Sequence, residues 1–137
     1  MISLARDHGK SIVVLYFYPK DNTTGCSKEA CGFRDAHDDL KRAGVVVIGV
    51  SPDSAVSHQT FAARHKLPFP LIADQDRHIC QAYGVWQEKT MYGKKYMGVA
   101  RTTFIIDRRG KIAHVFEKVK PPGHEQAVLE WIQANLK

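Results

Sequence analysis

Eight consecutive residues near the start of the 137-residue chain, Ser11-Ile-Val-Val-Leu-Tyr-Phe-Tyr18, are almost all aliphatic or aromatic. A strand with one wet face alternates apolar and polar side chains; this run does not, so it predicts a strand covered on both faces. Pro19-Lys-Asp-Asn-Thr-Thr-Gly25 follows and consists of turn formers. From about Cys26 to Ala43, Ala30, Phe33, His37 and Leu40 recur at three- and four-residue steps, and Gly44 closes the segment, the pattern of a helix. Val45 to Val50 reads as a second buried strand. Strand, helix and strand in this space form a βαβ unit with parallel strands and a right-handed crossover.

The remainder extends that unit. Asp53 or Ser54 can cap a helix running to about His65, and a short strand is expected at Phe69–Ile72. Asp76 to Tyr83 predicts a short helix stopped at Gly84, and Tyr92 to Gly98 an irregular loop. Arg101 to Asp107 and Lys111 to Phe116, joined at Arg108-Arg109-Gly110, predict a β-hairpin. Gly123 to Leu136 is an amphipathic helix with Val128, Leu129 and Ile132 facing inward. This order matches the thioredoxin topology: an α/β fold with a central mixed β-sheet flanked by helices. The loop from Pro19 to Cys26 leaves the carboxyl end of a strand, where open α/β sheets place their chemistry.

One domain spanning residues 1–137 is expected, because no repeat, linker or low-complexity stretch interrupts the chain. The start, Met1-Ile-Ser-Leu-Ala-Arg-Asp-His8, lacks a signal-peptide pattern, and no apolar run approaches the roughly 20 residues that span a bilayer. A cytoplasmic protein with no membrane partner is the expectation. The net charge of +6 comes from scattered basic residues, with Lys94-Lys95 and Arg108-Arg109 at turn positions, so it reads as a solvated surface rather than a nucleic-acid footprint. Three cysteines without a secretory signal argue against a structural disulfide framework and leave buried, metal-binding or reactive thiols.

Cys26 stands directly after a glycine at a helix start, where unpaired N–H groups and the positive end of the macrodipole gather. A thiol so placed is more ionised, and the thiolate is the reactive species. That effect is bounded: an ordinary thiol is about 3% ionised at pH 7, so full ionisation brings only about 30-fold. Donors that stabilise developing charge are needed as well. Thr23, three residues earlier, and Arg101, at the opening of a strand, are the candidates, and Pro19 can wall the thiol.

Pro19-x-x-x-Thr23-x-x-Cys26 resembles the signature of peroxiredoxins. The stretch Tyr16-Phe-Tyr-Pro-Lys-Asp-Asn-Thr-Thr-Gly-Cys-Ser-Lys-Glu-Ala-Cys-Gly-Phe-Arg-Asp35 is similar to their bacterioferritin-comigratory (PrxQ) branch. The likeness continues through Gly84-Val85-Trp86, Arg101 to Asp107 and Gly110-Lys-Ile112. It implies a thiol-dependent peroxidase acting on hydrogen peroxide and organic hydroperoxides. Cys26 would be oxidised to a sulfenic acid, with Thr23, Arg101 and the Cys26 N–H binding the peroxide. Cys31 would resolve that acid to a disulfide, which a thioredoxin or glutaredoxin-like reductant would reduce. No metal, haem or flavin is implied, and a monomer is expected, with a dimer as the alternative. The branch usually has proline where Thr24 stands, and generally carries an additional N-terminal β-hairpin segment that this chain is read as lacking.

The spacing adds a consequence of its own. Five residues along an intact helix separate two positions by about 7.5 Å of axial rise. A disulfide needs Cα atoms within about 7 Å, so joining Cys26 to Cys31 requires local unwinding of roughly residues 25–32. Gly32 lowers helix propensity there.

Plainer readings accompany these. Cys26 and Cys31 could be buried helix cysteines, and Cys80 reads as core filler, with a second resolving thiol as its alternative. Cys26, Cys31 and His37 do not make a zinc site. Thr23 could be a helix N-cap, Pro19 loop punctuation and Arg101 an edge-strand charge. His8, His65 and His124 read as surface residues, and no histidine is placed to serve Cys26 as a base. Trp86 and Tyr92 either shape the site loop or pack. The competing functions are a thiol–disulfide oxidoreductase, which normally uses Cys-x-x-Cys, and a truncated paralogue acting as a redox sensor.

Overall fold

The computed structural model describes residues 11–120 and 122–136. The expected N-terminal departure and the surface reading of His8 lie outside the described residues. A mixed five-stranded sheet forms the centre, in the order β3-β2-β1-β6-β7. Strand β1 (Ile12–Phe17) runs parallel to β2 (Val45–Ser51), which runs parallel to β3 (Leu71–Ala73). On its other side β1 pairs antiparallel with β6 (Thr102–Ile106), which pairs with β7 (Ile112–Phe116). All six β1 residues are buried, as the unbroken apolar run requires.

Alternation along β1 feeds two cores. Ile12, Val14 and Tyr16 join Phe33, Phe61, Val128, Leu129 and Ile132 under the helices α1 (Thr24–Asp35), α3 (Ala55–His65) and α5 (His124–Asn135). Val13, Leu15 and Phe17 face Ile48, Val50, Val85, Val99 and Phe104 on the opposite side, with Cys80 from the short α4 (His78–Ala82). At roughly 1.5–3 kcal/mol per buried large apolar side chain, these layers dominate the folding energy.

Several expectations are corrected. The helix over 26–43 begins at Thr24 and divides at Ala36 (φ −90°, ψ 2°) into α1 and α2 (His37–Arg42). No Gly or Pro marks the division, because Ala36 N still donates to Gly32 O and Ala36 O accepts from Leu40 N, both at 3.0 Å. Ser54, not Asp53, caps α3, its hydroxyl accepting from Ser57 N at 3.1 Å. The strand expected at 69–72 lies at Leu71–Ala73.

The loop expected at 92–98 is instead half of a second hairpin, β4 (Trp86–Met91) with β5 (Lys94–Val99), so Lys94 and Lys95 are strand residues. This hairpin forms its own two-stranded sheet and is largely exposed, so its residues carry no apolar alternation to signal it. Its two-residue turn uses Tyr92 (φ 53°) and Gly93 (φ 77°), both left-handed as a tight hairpin demands, and tyrosine is an unusual occupant of that conformation. Tyr92 is 97% exposed at the tip, which removes the packing role considered for it. Trp86 is half-buried, and the Arg77 guanidinium stands 5.0 Å over its ring. Among the described residues no helix is long and apolar enough to cross a membrane.

Candidate active site

Strand β1 ends at Phe17, and the chain turns through residues 18–23 into α1 at the carboxyl edge of the sheet. A buried polar network holds this turn. Asp21 accepts from the Tyr18 hydroxyl and the Ser57 hydroxyl, each at 2.7 Å, and faces His58 Nδ1 at 2.7 Å. The Asp21 N–H donates to Asp53 Oδ2 at 2.8 Å, an oxygen that also accepts from the Ser51 hydroxyl at 2.6 Å. The other His58 nitrogen meets Ile72 O at 3.0 Å. With acceptors at both nitrogens, His58 is an imidazolium: against the cost of burial, the Asp21 carboxylate holds its pKa above the ordinary value. Asp21 is correspondingly held low, since hydrogen bonds from His58, Tyr18 and Ser57 outweigh its burial.

Ligand atoms of Asp21, Asp53 and His58 lie within 4.8 Å of one another, the spacing of a cation site. Those atoms already serve the loop's hydrogen bonds, so the cluster reads as an anchor that fixes the turn against β2 and α3. Asn22 adopts a left-handed conformation (φ 64°) to complete the turn.

Thr23 occupies the N-cap position of α1, but its hydroxyl donates to Lys20 O at 3.0 Å and makes no cap. The first turn's amides are therefore not consumed by a side-chain cap, and Cys26, the third helical residue, sits among them. Thr24, where the resembling branch has proline, is the first helical residue, the position at which proline is favoured. Pro19 lies half-buried just beyond β1.

Cys26 is buried at 1% exposure, and its sulfur receives Arg101 Nη2 at 3.3 Å across 75 residues of sequence. Arg101 immediately precedes β6, and the β1–β6 pairing of Phe17 with Thr102 brings it to this edge. Its other nitrogen, Nη1, donates to Glu29 Oε1 at 2.7 Å. The guanidinium fork thus spans a carboxylate and a thiol, which a point-charge ammonium could not do. Burial opposes the Arg101 charge, and its interactions with Cys26 and Glu29 more than offset it.

Glu29 belongs to this cluster and was missed by the sequence reading. Its side chain is fully buried, and burial pushes its pKa up to about 7 despite Arg101. Glu29 Oε2 and the buried Tyr16 hydroxyl have no hydrogen-bond partner among the described residues. His124 Nε2 lies 4.0 Å from Glu29 Oε2 and 2.8 Å from the Thr103 hydroxyl. His124 is buried rather than on the surface; burial, with Arg101 adding to it, lowers its pKa to about 4, so the ring is neutral. The available signal for Glu29 was its place on the face carrying Cys26, Ala30 and Phe33, all buried.

Lys89 was missed too. Its stem passes Gly98, where a Cβ would lie 3.0 Å from Lys89 Cδ, and its ammonium donates to Val99 O at 3.0 Å. Burial and then Arg101 lower its basicity.

The structure does not bring Cys31 to Cys26. Both are free thiols on the intact helix α1, and the Cys31 sulfur lies 3.5 Å from His65 Nδ1. His65 is half-buried, another departure from its surface reading. Cys80 is fully buried, its thiol pushed up to about 12 by burial and then by Asp74, which fits core filler.

Residues 2–115 match the family model described as "AhpC/TSA family". The chain belongs to that family, in its Bcp peroxiredoxin branch. It is 46% identical to peroxiredoxin Bcp of Escherichia coli K12 over 90% of this chain and 79% of the relative. A solved structure of Xanthomonas campestris peroxiredoxin Q is 40% identical, covers 99% of this chain and 85% of its own, and superposes with a TM-score of 0.93. Another is of the X. campestris bacterioferritin comigratory protein and concerns its alkyl peroxide reduction activity. It is 39% identical, covers 99% of this chain and 86% of its own, with a TM-score of 0.93. The thioredoxin-like fold expected from the order of elements stands with these peroxiredoxins.

Proposed function

We propose that Cys26 carries the thiol-dependent peroxidase chemistry of this family, with Arg101 as the cation that holds the thiolate and polarises the peroxide. The observation that carries this reading is the 3.3 Å approach of Arg101 Nη2 to the Cys26 sulfur, with the guanidinium locked from behind by Glu29. A thiolate attacks one peroxide oxygen, the O–O bond breaks, and water or an alcohol leaves with a proton, giving a Cys26 sulfenic acid. Charge develops on the leaving oxygen; the Arg101 fork and the first-turn amides of α1 are the donors suited to it. Thr23, at the head of that turn, borders the peroxide site, and Pro19 forms part of its wall. Hydrogen peroxide and organic hydroperoxides are the substrates.

Cys31 then condenses with the sulfenic acid. The residue spacing in intact α1 supports a local opening of the helix at this step, since the axial rise alone is about 7.5 Å. Thioredoxin or a similar thiol donor reduces the resulting disulfide. The chain works as a single domain and a monomer, and in the cytoplasm. The Cys-x-x-x-x-Cys spacing disfavours a general disulfide oxidoreductase, whose thiols share one helix end.

The test is steady-state peroxide consumption coupled to a thioredoxin system. The parent protein turns over; Cys26→Ser loses turnover entirely. Peroxidase activity surviving in Cys26→Ser would move the chemistry elsewhere.

A further inference from the structure

His65 is the last residue of α3, followed by Lys66 in a left-handed cap (φ 52°). Its ring packs edge-on against Phe61, centroids 4.9 Å apart, which fixes its direction. Nδ1 faces the Cys31 sulfur at 3.5 Å, and the backbone oxygen of the same residue accepts from Arg34 Nη1 at 2.9 Å. One turn of α1 is thus held to one residue of α3 by two contacts. Arg34 Nε pairs with Asp35 Oδ1 at 3.0 Å, and that bond first of all holds its guanidinium above the ordinary value. Charged residues close to the pair in sequence are Arg34 and Asp35 on α1, with Arg64 and Lys66 flanking His65.

We propose that His65 is the proton acceptor that prepares Cys31 for resolution. This rests on the reading of Cys31 as the resolving thiol. With its own proton on Nε2, the His65 ring presents Nδ1 as the acceptor for the Cys31 S–H. The proton moves to Nδ1 while α1 is folded, because only then are the two atoms adjacent. When the helix opens, the thiolate electron pair forms the bond to the Cys26 sulfur. The sulfenic S–O bond breaks with its electrons on oxygen, and the departing hydroxide takes a proton from solvent to become water. Cys31 is oxidised and Cys26 reduced to the disulfide level, and His65 returns its proton to solvent. An ordinary thiol is about 3% ionised at pH 7, so the greatest gain available from such a base is about 30-fold.

The test is a single turnover with one equivalent of hydrogen peroxide, quenched in acid at intervals and read by peptide mass. In His65→Gln, peroxide loss keeps the parent rate, while formation of the Cys26–Cys31 link slows by about 3- to 30-fold at pH 7 and recovers toward the parent rate as pH rises. A link that forms at the parent rate overturns the proposal. So does a faster link, which would make the contact a restraint on helix opening. The pH profiles give a second readout: the parent's disulfide step should level off at lower pH than that of His65→Gln, and coincident profiles refute the proposal. If the parent forms no Cys26–Cys31 link at all, the reading of Cys31 fails; a normal link with no His65 effect removes only the role of His65.

Discussion

Replacing Arg101 with methionine removes both arms of the fork at once. The arm on Cys26 is a charge-assisted donor at 3.3 Å, and losing one such donor from a reacting centre costs about 10²- to 10³-fold in rate. The arm on Glu29, at 2.7 Å, is the only ion-pair partner within hydrogen-bond distance of that carboxylate among the described residues. A buried charge stripped of its partner destabilises by about 3–5 kcal/mol. Glu29 can escape that cost by taking a proton, since burial already places its pKa at about 7 with Arg101 acting to lower it. Without Arg101 the carboxyl is pushed higher still. A folded-state pKa above the unfolded value gives stability that is present at low pH and lost as pH rises. Arg101→Met is therefore expected to lose stability relative to the parent as pH rises above about 7, as the unpartnered carboxylate is forced to ionise. Single-turnover stopped flow measures the first effect and urea unfolding at several pH values the second. Arg101→Lys keeps the charge but not the fork, and should fall between the two. An Arg101→Met rate within about threefold of the parent, or a stability difference independent of pH, would refute the reasoning.

Gly32 lies mid-helix with the Glu125 carboxylate where a Cβ would stand, its Oε2 2.5 Å away. That carboxylate ends a flexible side chain and can move, so Gly32→Ala is expected to gain up to about 1 kcal/mol of helix stability and slow the Cys26–Cys31 link by up to about fivefold. An unchanged or faster link in quenched-flow mass analysis would argue against unwinding. His124, lowered to about 4, gives stability that is complete above its unfolded value near 6.5 and lost as pH falls through 4, on the order of 3 kcal/mol at most. His124→Gln should flatten that acid limb in urea titrations; an unaltered limb would contradict a neutral buried ring.

The parts of this molecule legible in the sequence are those with a local cause. β1 announces itself because both of its faces are covered, and α5 because Val128, Leu129 and Ile132 recur on one face. Cys26 and Arg101 were legible through a motif, although 75 residues separate them. Glu29, His124 and His58 were not. Charged and imidazole side chains default to the surface, and their burial depends on partners on distant strands and helices: Arg101, Thr103 and Asp21. The β4–β5 hairpin escaped for the opposite reason, since its exposed strands bury too little to leave a pattern.

The central claim is that Cys26 reacts with peroxide and is resolved by Cys31 after α1 opens. The most direct measurement treats the reduced protein with one equivalent of hydrogen peroxide and maps the product by peptide mass spectrometry. A loss of two hydrogens, linking the peptides of Cys26 and Cys31, is the predicted result. A link from Cys26 to Cys80 would contradict the resolving role of Cys31, and an unmodified Cys26 would contradict the account as a whole.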